Sequence, residues 1–201
     1  MNHIYKSLNK LLFIVCLVSI GFSDNNSTLL DSVSMALHKE GGILIDATIE
    51  QVQVENEWTD YITVEIVDST KFIFIATEQI IKVDADTIYT FTPNTNQLVI
   101  DHYYRNEFNM LSLLSGNLSQ IKLGEVQKRI RDTIINFTIP QIESRGKIWI
   151  NSKTYYPIRI VLEDDLNNHT TITINSIKPL RFQNQYKNYT DSGWEIIDLR
   201  E

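Results

Sequence analysis

The chain has one cysteine, Cys16, and it lies inside an apolar stretch near the N-terminus. Removal of that stretch leaves no thiol, which excludes disulfides, thiolate catalysis and cysteine metal sites from the rest. Also missing are the spacings that carry common chemistries: G-x-S-x-G, a phosphate-binding glycine loop, G-x-G-x-x-G and H-E-x-x-H. Histidine is scarce. Past the N-terminal stretch only His38, His102 and His169 remain, isolated from one another in a helix end, a strand end and a turn. Glu163-Asp164-Asp165 reads as a solvated turn rather than a calcium site. No catalytic residue, no metal site and no cofactor is expected. Positive charge is in deficit, with a formal net charge of −7, so neither nucleic acid nor an anionic membrane surface is an attractive partner. No repeat, low-complexity run or linker is present.

What is there begins with a targeting pattern. Lys6 and Lys10 precede the apolar residues 11–20, and Gly21-Phe22-Ser23 supplies a small-residue exit. This apolar run is too short to span a bilayer, which takes about 20 residues. Residues 1–23 therefore read as a cleaved signal peptide, and a secreted or periplasmic protein is expected. Phe13-Ile14-Val15 before Cys16 lacks the small residue that lipidation requires. Residues 24–201 are enough for a single domain with a sizeable core. They carry sixteen basic against twenty-five acidic side chains, a formal charge of −9.

Thr28 has the chemistry of an N-cap, and Leu29, Leu30, Val33 and Leu37 recur at helical spacing until Gly41-Gly42 stops the run. From Ile43 the period becomes two: Ile43, Ile45, Ala47 and Ile49 alternate with Leu44, Asp46, Thr48 and Glu50. Val52 and Val54 fall on the other parity, which predicts a bulge near Glu50-Gln51. Further strands are predicted around Ile62, Val64 and Ile66, then Phe72 and Phe74, then residues 80–83. Residues 84–104 are the centre of the pattern. Asp84-Ala85-Asp86 turns into Ile88-Tyr89-Thr90-Phe91, a Pro93-Asn94 bend follows, and Leu98-Val99-Ile100 returns. This is a β-hairpin, expected well inside a larger antiparallel sheet.

Residues 108–114 break the strand period. Phe108, Leu111 and Leu114 share a helical face, Met110 and Leu113 widen it, and Gly116 is a natural stop. A second short helix is predicted over 118–123. Strands resume at 133–139, 146–151, 158–162 and 170–174, with a tight turn at 164–168. The aromatic tail holds Phe182, Tyr186, Tyr189 and Trp194. The fold class is α+β, mainly antiparallel β: an incomplete, half-open β-barrel of about ten to eleven strands under a short helical lid. An apolar hollow in such a sheet would be lined by Ile62, Val64, Ile66, Phe72, Phe74, Ile81, Tyr89 and Phe91. Phe108, Met110, Leu111 and Leu114 would come from the lid.

These residues resemble the LolA-like periplasmic carriers of outer-membrane lipoproteins, over almost the whole of residues 29–200. Ala47-x-Ile49-x-Gln51 stands where that family has a small residue, an aromatic and a glutamine. Asp84-Ala85-Asp86-Thr87-Ile88-Tyr89 is similar to its aspartate–glycine turn, with Ala85 in place of the glycine. Pro93 and Gln97, the 108–114 helix, Leu162-Glu163-Asp164-Asp165 with its threonine-rich strand, and Gly193-Trp194-Glu195 complete the likeness. The family's arginine before the Phe72 strand, thought to latch the lid, is absent. The resemblance implies a monomeric carrier that binds acylated lipoproteins without a cofactor. An inner-membrane lipoprotein-releasing transporter would load it, and an outer-membrane receptor would unload it. An envelope protein-interaction or lipid-sensing module on the same half-barrel is the alternative.

Overall fold

The computed structural model describes residues 24–53, 56–107, 110–164, 168–180 and 185–200. Residues 1–23, expected to be a signal peptide, lie outside them, as do Val54, Phe108, Asn109, Asp165 and Phe182.

The first helix, α1, covers Asp24–Leu37. Thr28 is thus inside the helix and not its cap, and its carbonyl accepts the Ser32 hydroxyl at 2.8 Å. Val33 and Leu37, four residues apart, are both buried, as the amphipathic spacing requires. Gly42 ends the approach to the sheet at φ +75, and a Cβ there would sit 2.6 Å from the Ile66 carbonyl oxygen. Only glycine lets the chain pass that close.

Six strands follow: β1 Ile43–Gln53, β2 Asn56–Asp68, β3 Lys71–Ile75, β4 Ile80–Asp84, β5 Thr87–Thr92 and β6 Gln97–His102. A five-residue helix, α2, covers Met110–Leu114. Then come β7 Lys122–Lys128, β8 Asp132–Ile139, β9 Ser144–Asn151, β10 Pro157–Glu163, β11 His169–Pro179 and β12 Glu195–Asp198. Among the described residues they form one twelve-stranded sheet in the order β12-β6-β5-β4-β3-β2-β1-β11-β10-β9-β8-β7. Every pairing is antiparallel except β12 on β6. The edges β12 and β7 do not pair with each other, so the sheet stays open.

Three expectations are corrected here. The β5–β6 hairpin is not deep in the sheet, since only the four-residue β12 lies beyond β6. Residues 118–123 are not helical: Leu118 is buried in a turn, and β7 begins at Lys122. The bulge is not at Glu50-Gln51, because β1 pairs with β2 in unbroken register and Val52 is simply exposed. The irregularity lies across the ladder, where Asp46 faces Ser176 and Ala47 faces Ile174. Asn175 is the extra residue. It flips the parity of β11, so that Ile172 and Ile177 pair with Ile49 and Ile45 on the same side of β1.

Two apolar clusters flank the sheet. The larger gathers residues of β1 to β4 and β8 to β11 with α1 and α2 on the concave side. The smaller lies behind β3 to β6, where Ile73, Ile80, Phe91, Leu98 and Ile100 are closed over by Tyr186 from the tail. Tyr189 and Trp194 pack on Phe91 with ring centroids 5.6 and 5.1 Å away. Polar groups fasten that tail: Lys82 donates to the Tyr189 carbonyl at 2.9 Å, and the buried Glu65 carboxylate accepts the Tyr186 N–H at 3.1 Å. Burial lowers the Lys82 pKa and raises that of the Tyr186 phenol.

A concave apolar face under two short helices

Period-two alternation sets the inner face. Ile62, Val64 and Ile66 on β2 lie opposite Ala47, Ile45 and Ile43 on β1. Phe74 and Phe72 on β3 pair with Val64 and Ile66. All five predicted residues of β2 and β3 are buried in the concave cluster, and Ile81 packs half-buried against it. Tyr89 and Phe91 are not brought to this face. Phe74 faces Ile81 and Ile81 faces Thr90, so the inward residues of β5 are Ile88 and Thr90. Tyr89 and Phe91 have the opposite parity and join the cluster behind the sheet. Aromatic character suggested the hollow; register decides against it.

Of the expected lid residues, Leu111 and Leu114 are buried and Met110 is half-buried, while Phe108 lies outside the described residues. Leu113, only 2% exposed, is as much a part of the contact. The structure adds residues the sequence reading left out of the candidate site. Val33 and Leu37 of α1 cover the same face, and Ile135, Ile148, Ile150 and Ile160 extend it across β8 to β10. The alternation of Ile148 with Trp149 and Ile150 was the signal available for them. Tyr103, just past β6, meets Phe72 edge-on at 5.9 Å.

The end of α2 comes close to the end of α1. Gly116 ends α2 at φ +79, and a Cβ there would stand 3.1 Å from Leu37 Cδ1. His38 Nδ1 lies 3.2 Å from Ser34 Oγ on the same side. Between α1, the end of β3 and the loops around α2 opens a cleft of about 500 Å³, lined among others by Leu30, His38, Phe72, Tyr103, Arg105 and Leu118. Phe72 is the one predicted lining residue it contains.

The cluster is dry. Of the buried acids, Glu65 faces the tail behind the sheet, and Asp60 accepts the N–H groups of Tyr61 and Thr77 and the Thr77 hydroxyl. Among the described residues no group of three or more His, Cys, Asp or Glu is placed to hold a metal, and no helix is long and apolar enough to cross a membrane. An apolar sheet face beneath two helices suits burial of hydrocarbon.

The sequence matches no protein-family model and no curated protein. Solved structures do match. An uncharacterised conserved protein of Thermus thermophilus is 12% identical, covers 86% of this chain and 98% of its own, and gives a TM-score of 0.56. A chain of the Pseudomonas aeruginosa MucA/MucB complex is 10% identical over 85% of this chain and 62% of its own, with a TM-score of 0.52. The chain shares its fold with these two structures. A LolA superfamily protein of Nitrosomonas europaea also matches, 11% identical over 78% of this chain and 94% of its own, with a TM-score of 0.48. At these identities the likeness is one of fold alone.

Proposed function

We propose that this chain is an exported envelope protein that binds the acyl chains of lipoproteins on its concave face, beneath α1 and α2, and carries them from the inner to the outer membrane. The observation that carries this is the cover. A five-residue helix has no independent stability, and α2 is held by Leu111, Leu113 and Leu114 pressed on an apolar stretch of the sheet face. Lifting three leucines costs roughly 5–9 kcal/mol at about 1.5–3 each. A bound chain returns about 0.8 kcal/mol per buried CH₂, so burial of about six to eleven methylenes offsets the opening. A single fatty acyl chain is long enough. The sequence resemblance to the lipoprotein carriers supports the same reading, with an inner-membrane releasing transporter and an outer-membrane receptor as partners and the periplasm as the place.

The test is native mass spectrometry of the exported protein mixed with an acylated lipopeptide and with the same peptide lacking its acyl chains. A complex with the acylated form alone is expected. A complex with both, at equal strength, overturns the carrier reading.

That second outcome belongs to a competing reading, a protein-interaction or sensing module. The closed packing of Leu111, Leu113 and Leu114 favours it, and so does the likeness to a chain of the MucA/MucB complex. In that case a protein partner occupies an outer surface and the leucines stay in place.

A further inference from the structure

The concave face has a second opening, at the end of β2 remote from the helices. There a cleft of about 300 Å³ is lined by Trp58, Asp60, Phe74, Ala76, Thr77 and Glu78, among others. Trp58 pairs with Gln51 and Asp60 with Ile49, so both point to the concave side. Phe74 and Ala76 connect the cleft to the main apolar cluster. Along β2, Trp58 is eight residues from Ile66, which pairs with Phe72 of the helix-end cleft. At strand rise that is about 26 Å. One apolar face thus ends in two separate clefts.

Their chemistry differs. The helix end carries Arg105 and His38, with one carboxylate, Asp31, among hydroxyl and amide groups. The far end carries Glu78 and the hydrogen-bonded Asp60, with no cation lining it. A carboxylate rim repels an anionic headgroup, and an uncharged hydrocarbon end meets Phe74, Ala76 and the indole. Trp58 itself is half exposed, so that part of its indole faces solvent. The other two tryptophans are elsewhere: Trp149 lies under the Arg159 guanidinium at 5.5 Å, and Trp194 packs on Phe91 behind the sheet.

We infer that the Trp58–Phe74 cleft is an end subsite for the methyl terminus of a linear acyl chain, whose polar end lies at the Arg105 and His38 cleft. This rests on the acyl-binding function proposed above and gives the bound chain a direction. It also leaves a contact point that α2 does not cover.

Tryptophan fluorescence of the full chain tests it, with two neutral palmitoyl monoglycerides as probes. One carries bromine on the terminal carbon, the other on the carbon beside the ester. The terminal bromide is expected to quench more strongly, and Trp58→Phe is expected to lose that quenching while still binding lipid by native mass spectrometry. Equal quenching by the two probes, or quenching that survives Trp58→Phe, with lipid still bound, overturns the subsite and leaves acyl binding standing. No bound lipid in either protein overturns both. Should Trp58→Phe fail to fold, the difference between the two probes on the unsubstituted chain decides alone.

Discussion

Ala85 has φ +59, in the left-handed region, within the Asp84-Ala85-Asp86 turn. For an L-residue that conformation costs roughly 1–2 kcal/mol, and glycine avoids the cost while adding about 0.5–1 kcal/mol of chain entropy to be lost on folding. Two hydrogen bonds pin the turn regardless: Ala85 N–H to the Thr70 carbonyl at 2.9 Å and Tyr103 N–H to the Asp86 carbonyl at 2.7 Å. Ala85→Gly should therefore stabilise the protein by about 0.5–1 kcal/mol, read as a higher urea midpoint with unchanged slope. Gly146 is the opposite case. A Cβ at this position would lie 2.5 Å from Phe137 Cζ and 2.7 Å from the Val161 carbonyl oxygen. Because one obstacle is backbone, Gly146→Ala should destabilise by about 1–3 kcal/mol in the same measurement.

A third residue-scale prediction concerns acid. Asp46 accepts the Ser176 hydroxyl at 2.7 Å and the Lys178 ammonium at 3.1 Å. The Ser176 hydrogen bond, assisted by Lys178, holds its carboxyl below the ordinary value of 3.8 against a smaller opposing effect of burial. A depressed native pKa contributes stability that is complete above the unfolded value and is lost as pH falls through the native one. Asp46→Asn should therefore flatten the acid limb of the stability–pH curve below pH 3.8. An unchanged limb would mean that other carboxylates set it.

At the scale of elements, α2 is the least self-sufficient piece. It is five residues long, and its N-terminal approach includes residues outside the described structure. Its C-terminal turn is closed by Ser115 N–H to the Leu111 carbonyl at 2.8 Å and Asn117 N–H to the Ser112 carbonyl at 2.8 Å. Strands β1 and β2, by contrast, pair over eleven consecutive positions. Amide hydrogens of residues 111–116 should exchange faster than those of 44–49 by hydrogen-exchange mass spectrometry. Equal protection would argue that the cover does not lift. The tail is a different kind of cover: β12 adds only four residues to β6, but Phe91, Glu65 and Lys82 hold the chain before it.

For the whole molecule, acyl binding predicts linkage. A ligand that binds the folded state stabilises it by about 2.7 kcal/mol at a hundred times its dissociation constant. An acylated lipopeptide in excess should thus raise the melting midpoint, and the same peptide without acyl chains should not. A rise with both forms would point to a peptide-binding surface.

The sequence by itself determined the strand period, the apolar parity of β1 to β3 and the amphipathic face of α1, because these are local and repeat within a few residues. It determined the α2 insert for the same reason. Tertiary structure alone decided which way Tyr89 and Phe91 point, since parity on β5 is inherited from pairing with β4 and not from side-chain type. It also decided where the bulge sits: Val52 suggested β1, but the extra residue is Asn175 on β11, more than a hundred positions away. Long-range register has no local signature. A one-residue slip turns a whole strand inside out, and only the partner strand says which side faces in.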